Sequence, residues 1–515
     1  SSAYIDVALG AIVFSVFYWL QIWDESGDSA ALIPVGLLAG YAYAAKYTAF
    51  VMLPFALGFV LWRARKLRPL ILVAGLACVT IAPWMLKDWF FLHDPIAPFG
   101  NQVFRNPNFH VISERDYAAY FRRYELSDLR QIPLEAAIHG GKLQGILGAA
   151  FLAAPLALLA LRQQAGRRLL AAAAVLLIPY FGNIGTRFLI PLLPFVSLAM
   201  ALALSTAPAL LAVLMIFHAV SSWPSVMTRY VSPNSWGLEG MLFNEALRIV
   251  PQEQYLRENF PAYGVARLID ANVPDGERVL SFGSVWDAYT SRDVLVTFQG
   301  AFNETLADIL STGWIEGRQP RVLETFSFPE RPVRRLRVVQ TASPRPDQQW
   351  SIHELRFYDR GRELPREPQW RLRAWPNPWD VQLAFDNSAA TRWRSWEPAA
   401  PGMYMDADFG QNRGIDEVRV ETSYDSFKAH MELEEMDATG HWSAIAQNPK
   451  ISFVEPRGSM RLAATYEMNA RGIHYLLVSN SEFGADDFRE DPEAWGLIPV
   501  AQGYGVRLYR VSERR

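Results

Sequence analysis

AALIPVGLLAGYAYAAKYTAFVMLPFALGFVLW, residues 30–62, decides the fold. It holds one charged side chain, Lys46, between apolar runs at 30–45 and 48–62. A bilayer core of ~30 Å needs about 20 mostly apolar residues as helix. Six more stretches come near that requirement, at about 6–23, 69–86, 144–161, 168–181, 188–204 and 206–222. A soluble helical core must also face water, so it would not produce eight such runs in so short a length. Residues 1–223 therefore read as a multi-span α-helical membrane domain of about eight spans.

The remainder is of another kind. The full chain has 515 residues, 49 Lys and Arg against 52 Asp and Glu, and a net charge of −3. Its mean hydropathy of +0.04 averages an apolar first part with an ordinary polar second part. These values exclude a single soluble domain, a disordered chain and a nucleic-acid binder driven by bulk positive charge. The lone cysteine, Cys78, excludes both a disulfide framework and a Cys-based zinc site. The chain opens on Ser with no basic leader, which reads as a fragment of a longer protein.

Orientation follows from the basic loops. Arg63, Arg65, Lys66 and Arg68 form one, and Arg162, Arg167 and Arg168 another. An even number of spans lies between them, so both belong on one side, taken as cytoplasmic. Asp6, Lys46, segment 87–143, the 183–187 turn and everything after Trp223 then fall on the outer side. Within 87–143, Tyr117, Tyr120, Phe121 and Tyr124 follow helical spacing. They describe an amphipathic helix, lying either at the outer interface or on a soluble surface.

Ionisable groups at the edges of apolar spans are costly, which makes Asp6, Lys46 and Arg187 candidates. A lysine and an arginine on one rim suit a phosphate, the arginine through its bidentate fork. An acid beside them suits proton abstraction or substrate orientation. The alternative is that both cations snorkel to headgroups and Asp6 caps its helix.

SSAYIDVALGAIVF, GLLAGYAYAAKYTAFVMLP, APWMLKDWFFLHDPIAPFG and TRFLIPLLPFVSL, in that order, resemble landmarks of the GT-C superfamily of integral-membrane glycosyltransferases. That superfamily includes the protein O-mannosyltransferase and lipid A aminoarabinose transferase types. Lys87–Asp88 and His93–Asp94 depart from its commoner Arg-Asn and Gly-Asn. The resemblance spans residues 1 to about 315. It implies transfer of a sugar from a polyprenyl-phosphate donor to a glycan, protein or lipid acceptor on the outer face of a bacterial inner membrane. It further implies Lys46, Tyr47 and Arg187 at the lipid phosphate and Asp6 as a secondary acid. The main acid would lie in a loop upstream of this chain, which starts near a fourth span. No metal or other cofactor is implied, and the lipid-linked sugar is a substrate.

In the polar part, helix and strand patterns alternate over 252–315 and again over 459–512. They read as one discontinuous α/β outer domain, 224–320 with 456–515. Residues 321–455 show short alternating strands with turn-rich spacers, the pattern of an antiparallel β-sandwich. WSIHELRFYDRGREL, AFDNSAATRWRSWEP, PGMYMDADFG and IDEVRVETS resemble the coagulation-factor type C, or discoidin, family. The resemblance implies a jelly roll with a possible glycan site, for which Trp379, Arg392, Arg394 and Trp396 are candidates and Trp393 reads as core. Two other functions fit the same sequence. One is a non-catalytic membrane-anchored carbohydrate-binding protein, and the weaker other is a transporter of lipid-linked sugars.

Overall fold

A computed structural model describes residues 5–233, 235, 243–285, 287–297, 300–315, 318–342, 348–424, 429–455, 460–482 and 484–512. Phe298, Ser343 and Ser459, placed in regular elements by the sequence patterns, lie outside them. The chain forms two compact units, Ser1–Phe104 with Glu114–Ala246, and Arg105–Ser113 with Leu247–Arg515.

The first unit is helical. Among the described residues five helices are long and apolar enough to cross a membrane: Asp6–Ser26, Tyr47–Ala64, Leu67–Leu92, Gln164–Gly182 and Thr186–Ala203. Three apolar helices are shorter, Ser29–Ala45, Ala149–Arg162 and Pro208–Ser221, where the sequence had led us to expect full spans. In Asp6–Ser26 the buried Leu9, Val13, Val16, Phe17 and Leu20 make one helical stripe, and Phe17 meets Phe195 edge-on at 5.3 Å. Leu67–Leu92 buries only Val73 and Ala77, while Ile71, Val79, Leu86, Phe90 and Phe91 are more than half exposed. An apolar exterior on helices of this length points to membrane association.

Two features fix the packing of these helices. Gly36 and Gly40 let helix Leu32–Ala45 press against Leu67–Leu92, and a Cβ on Gly40 would lie 2.3 Å from the Ala77 carbonyl oxygen. At the end of the first helix, Asp24 accepts from Arg63 and, at 2.5 Å, from Arg168. One buried carboxylate thus gathers the two basic loops at one end of the bundle. Asp6 lies eighteen residues away on the same helix, ~27 Å at 1.5 Å per residue.

The helix expected through Tyr124 stops earlier. It runs Val111–Phe121, and Tyr124 sits in a turn at φ 47°. From there its hydroxyl donates to Asn183 Oδ1 at 2.7 Å. The positive φ swings the ring off the helical face and into a small cluster with Leu126, Tyr180 and Ile184.

The second unit holds a five-stranded sheet in the order Leu497–Gly503, Val506–Val511, Tyr475–Ser479, Arg278–Ser281, Asp293–Val296. Val279 pairs in parallel with both Tyr475 and Val294, so strands far apart in the chain are neighbours. Between them in sequence stands a β-rich body with an eight-stranded sheet and a two-stranded one. Its centre is a ribbon of two long antiparallel strands, Arg321–Ala342 and Tyr404–Thr422. The sequence pattern divided the second of these at residues 410–414, but pairing continues through, with register shifts at 327/331 and 333/335. The ribbon bends there, so that Phe326 from one half and Leu336 and Val338 from the other share one core with Trp350 and Trp393. Trp393 is fully buried, 5.4 Å from Trp350 in a T-shaped pair.

Two acids in this body are buried at a cost. Burial pushes the Glu324 carboxyl up to about 8, and burial is also the main cause raising Glu354 to about 8. The folded state therefore holds these protons more tightly than the unfolded chain, and stability falls as pH rises from about 5 through 8.

Two outcomes are expected. Gly40→Ala should lower stability by about 1–3 kcal/mol through overpacking, read as a lower unfolding temperature in detergent. Glu324→Gln should reduce the loss of stability between about pH 6 and pH 9 by an amount on the order of 1–3 kcal/mol, read from tryptophan emission during thermal unfolding. Identical pH profiles for parent and variant would refute the second expectation.

Candidate functional site

The helical unit collects Asp6, Lys46 and Arg187 at the end opposite Asp24. Helix Leu32–Ala45 stops at Lys46, which is extended at φ −160° before the chain resumes as a 3-10 turn at Tyr47. This break releases the lysine side chain from the helical face, and its ammonium pairs with the carboxylate of Asp6, the first residue of its own helix. Asp6 is 1 % exposed, so this is a desolvated pair.

Arg187 lies in the 3-10 segment Thr186–Leu192. Its guanidinium carbon is 4.9 Å from the centre of the Phe188 ring, and Lys46 Nζ is 4.3 Å from the same centre. The two cationic groups are therefore no more than about 9.2 Å apart, within reach of one phosphate. Tyr47 takes a different place. Its hydroxyl lies 2.8 Å from the Ala97 carbonyl oxygen and 3.1 Å from Asp88 Oδ2, bracing the loop after helix Leu67–Leu92.

Beside this group is a cavity of about 730 Å³ whose polar lining includes Asp6, Gln144, Thr186, Arg187, Ser197 and His218. Two of its polar atoms, Asp6 Oδ2 and Thr186 Oγ1, are buried without a hydrogen-bond partner. Unsatisfied buried oxygens cost about 1–3 kcal/mol each, which a polar ligand would relieve. A second hollow of about 180 Å³ shares Phe151, Ser197 and His218 with the first and is otherwise walled by Ala150, Met200, Leu211, Leu214 and Met215. The two hollows therefore share a wall at Phe151, Ser197 and His218.

Gln144 and His218 escaped the sequence reading. The first belongs to the turn 140–148, where Gly140, Gly145 and Gly148 take positive φ and Gln144 itself stands at φ 54°. That run of glycines was the available signal. His218 is an ionisable residue inside an apolar run, the same signal that marked Lys46. Its Nδ1 lies 3.3 Å from Ser222 Oγ, and a Cβ on Gly148 would lie 2.9 Å from its ring. Tyr124 approaches from another side, and burial pushes its phenol up to about 12, so it stays neutral near Arg187.

The candidate glycan residues of the second unit are arranged otherwise. Arg392 and Arg394 both donate to Asp308 of helix Ala301–Ile315, at 2.7 and 2.6 Å. Burial works to raise the Asp308 carboxyl, but the two guanidiniums outweigh it and hold it well below the usual carboxylate range. Trp396 is stacked on the His110 ring at 4.0 Å, with the Arg394 guanidinium 4.5 Å from its centre. His110 in turn bonds Glu304 at 2.5 Å, and Ser113 donates to the other oxygen of Glu304 at 2.6 Å. These groups tie the β-rich body to its neighbouring helix. Trp379, by contrast, is 40 % exposed. Among the described residues no group of three or more His, Cys, Asp or Glu is placed to hold a metal ion.

Lys46→Met should cost about 3 kcal/mol, because it strands a buried carboxylate. The double variant Asp6→Asn/Lys46→Met should recover part of that loss, as measured by a double-mutant cycle of thermal unfolding. Strict additivity would show that the pair is not coupled. In comparisons with known proteins, no family model, curated protein or solved structure matches the chain.

Proposed function

We propose that this chain is the donor-binding part of a membrane glycosyltransferase that moves a sugar from a polyprenyl phosphate to an acceptor on the outer face of a bacterial inner membrane. One observation carries the reading: Lys46, paired with Asp6, and Arg187 flank the Phe188 ring, and Asp6, Thr186 and Arg187 line a cavity that shares a wall with an apolar hollow. A phosphate on a long apolar chain has this same division of chemistry. The grouping of Arg63 and Arg168 on Asp24 supports the orientation, since basic loops at that end would be cytoplasmic and the Asp6 end outer. The order of GT-C-like motifs is the second support.

The reaction is displacement at the anomeric carbon. The acceptor hydroxyl forms the new C–O bond and gives its proton to a carboxylate. The prenyl phosphate leaves with the electron pair of the broken bond. Phosphate is a good leaving group, so the main requirement is charge stabilisation, which Lys46 and Arg187 supply. Asp6 holds the lysine in place and is the secondary acid. The principal base is assigned to no residue here. The β-rich body is read as a discoidin-like accessory module, with Trp379 as its open aromatic face.

The test is transfer from a polyprenyl-phosphate sugar by this protein, in detergent or vesicles. Lys46→Ala and Arg187→Ala should each lower kcat at least about 10²-fold, the scale of removing one charge-stabilising group. Unchanged transfer in both variants would remove the phosphate site and favour a membrane-anchored glycan binder.

A further inference from the structure

Alternation along Arg321–Ala342 turns Val322, Glu324 and Phe326 inward from one half of the bent ribbon, and Leu336, Val338 and Gln340 inward from the other. Four of these six are ordinary core residues. Glu324 and Gln340 are not: they are 2 % and 0 % exposed, and Glu324 Oε1 and both Gln340 amide atoms have no hydrogen-bond partner. A sandwich gains nothing by burying such groups, since each costs free energy that Val or Leu would not.

A cleft of about 790 Å³ opens beside them, and Glu324 lines it. Met431, the cross-strand neighbour of Gln340, lines it too. The polar side chains around it are Thr341, His430, Glu432, Gln447 and Asn448. Glu432 accepts from Gln447 Nε2 at 2.7 Å, which turns that carboxylate toward the β-hairpin holding the rim. Among the described residues lining the cleft there are two glutamates and neither lysine nor arginine. Nor is there a Trp, Tyr or Phe ring among them. Its volume is that of a small-molecule pocket, and the ionisable acids among its described lining are Glu324 and Glu432.

We propose that this cleft binds a ligand carrying a primary ammonium group, an amino sugar or a polyamine, with Glu324 as the buried carboxyl that gives up its proton when the ammonium enters and Glu432 as the outer counter-charge. The amides of Gln447 and Asn448 supply hydrogen bonds to the rest of the ligand. The site lies apart from the residues discussed for glycan binding, and it does not depend on the transferase reading.

The experiment is isothermal titration of the full chain in neutral detergent with glucosamine, N-acetylglucosamine and spermidine. Glucosamine and N-acetylglucosamine differ chiefly in the charge at one nitrogen. At least one amine should bind with a Kd of about 1 mM or tighter, and N-acetylglucosamine should bind at least about tenfold more weakly than that amine. Glu324→Gln, which keeps shape but cannot ionise, should weaken the amine at least about tenfold, and Glu432→Gln should weaken it less. Glucosamine alone binding assigns the site to amino sugars, and spermidine alone assigns it to polyamines. The proposal is overturned by any of three results: no amine bound at about 10 mM, equal affinity for the acetylated sugar, or full affinity in Glu324→Gln. Should Glu324→Gln not fold, the acetylated control and Glu432→Gln still decide.

Discussion

Removing a charge from water is the constraint on which the helical unit depends. Its first helix carries one buried carboxylate at each end, and each is claimed by cations from other helices. Asp6 takes Lys46, and Asp24 takes Arg63 and Arg168. Between these ends the contacts are apolar and largely non-directional. They would let helices slide or rotate at small cost, except where Gly36 and Gly40 hold one helix close against its neighbour. The ion pairs set depth and rotation, because a displaced helix would leave a desolvated charge alone. The same pairs sort the two faces of the bundle. A carboxylate serving as a structural anchor at one end and as part of a cavity at the other makes the site inseparable from the fold that presents it.

The second unit uses the same device at a junction. Asp308 neutralises Arg392 and Arg394, while Trp396 lies flat on His110. In the sequence these look like exposed recognition residues, because loop tryptophans and arginines are what a sugar site needs. The structure gives their charge and their flat face to the helix and loop packed beside them. Arg105 repeats the pattern nearby, paired with Glu397 and lying 4.1 Å from the centre of Trp375. Aromatic and guanidinium groups make equally good joints and binding surfaces, and composition alone cannot tell which role they fill.

What the sequence conveyed depended on periodicity and on charge out of place. The apolar stripe of residues 6–26 and the strands at 278–281 and 475–479 follow from pattern, because burial repeats at the period of the backbone. Lys46 stood out as a charge inside an apolar run, and its meeting with Asp6 followed from where spans would end. Gln144 did not stand out, since its place depends on a turn built by three glycines with positive φ. Helix length was also poorly conveyed. Ala149–Arg162 starts five residues into its apolar run, and Pro208–Ser221 falls short of its run at both ends, its start set by Pro208. The strand pairing across more than a hundred intervening residues, Val279 with Tyr475, has no local signature.

The bent ribbon of Arg321–Ala342 and Tyr404–Thr422 carries a mechanical consequence. Since the same two strands carry both halves of the eight-stranded sheet, neither half can peel away without tearing the ladder that the other needs. Pulling on one half loads the other through continuous backbone, so rupture should come as a single event rather than half by half. A body inserted between strands of another sheet gains from such all-or-none behaviour, because a half-opened insert would drag its host apart.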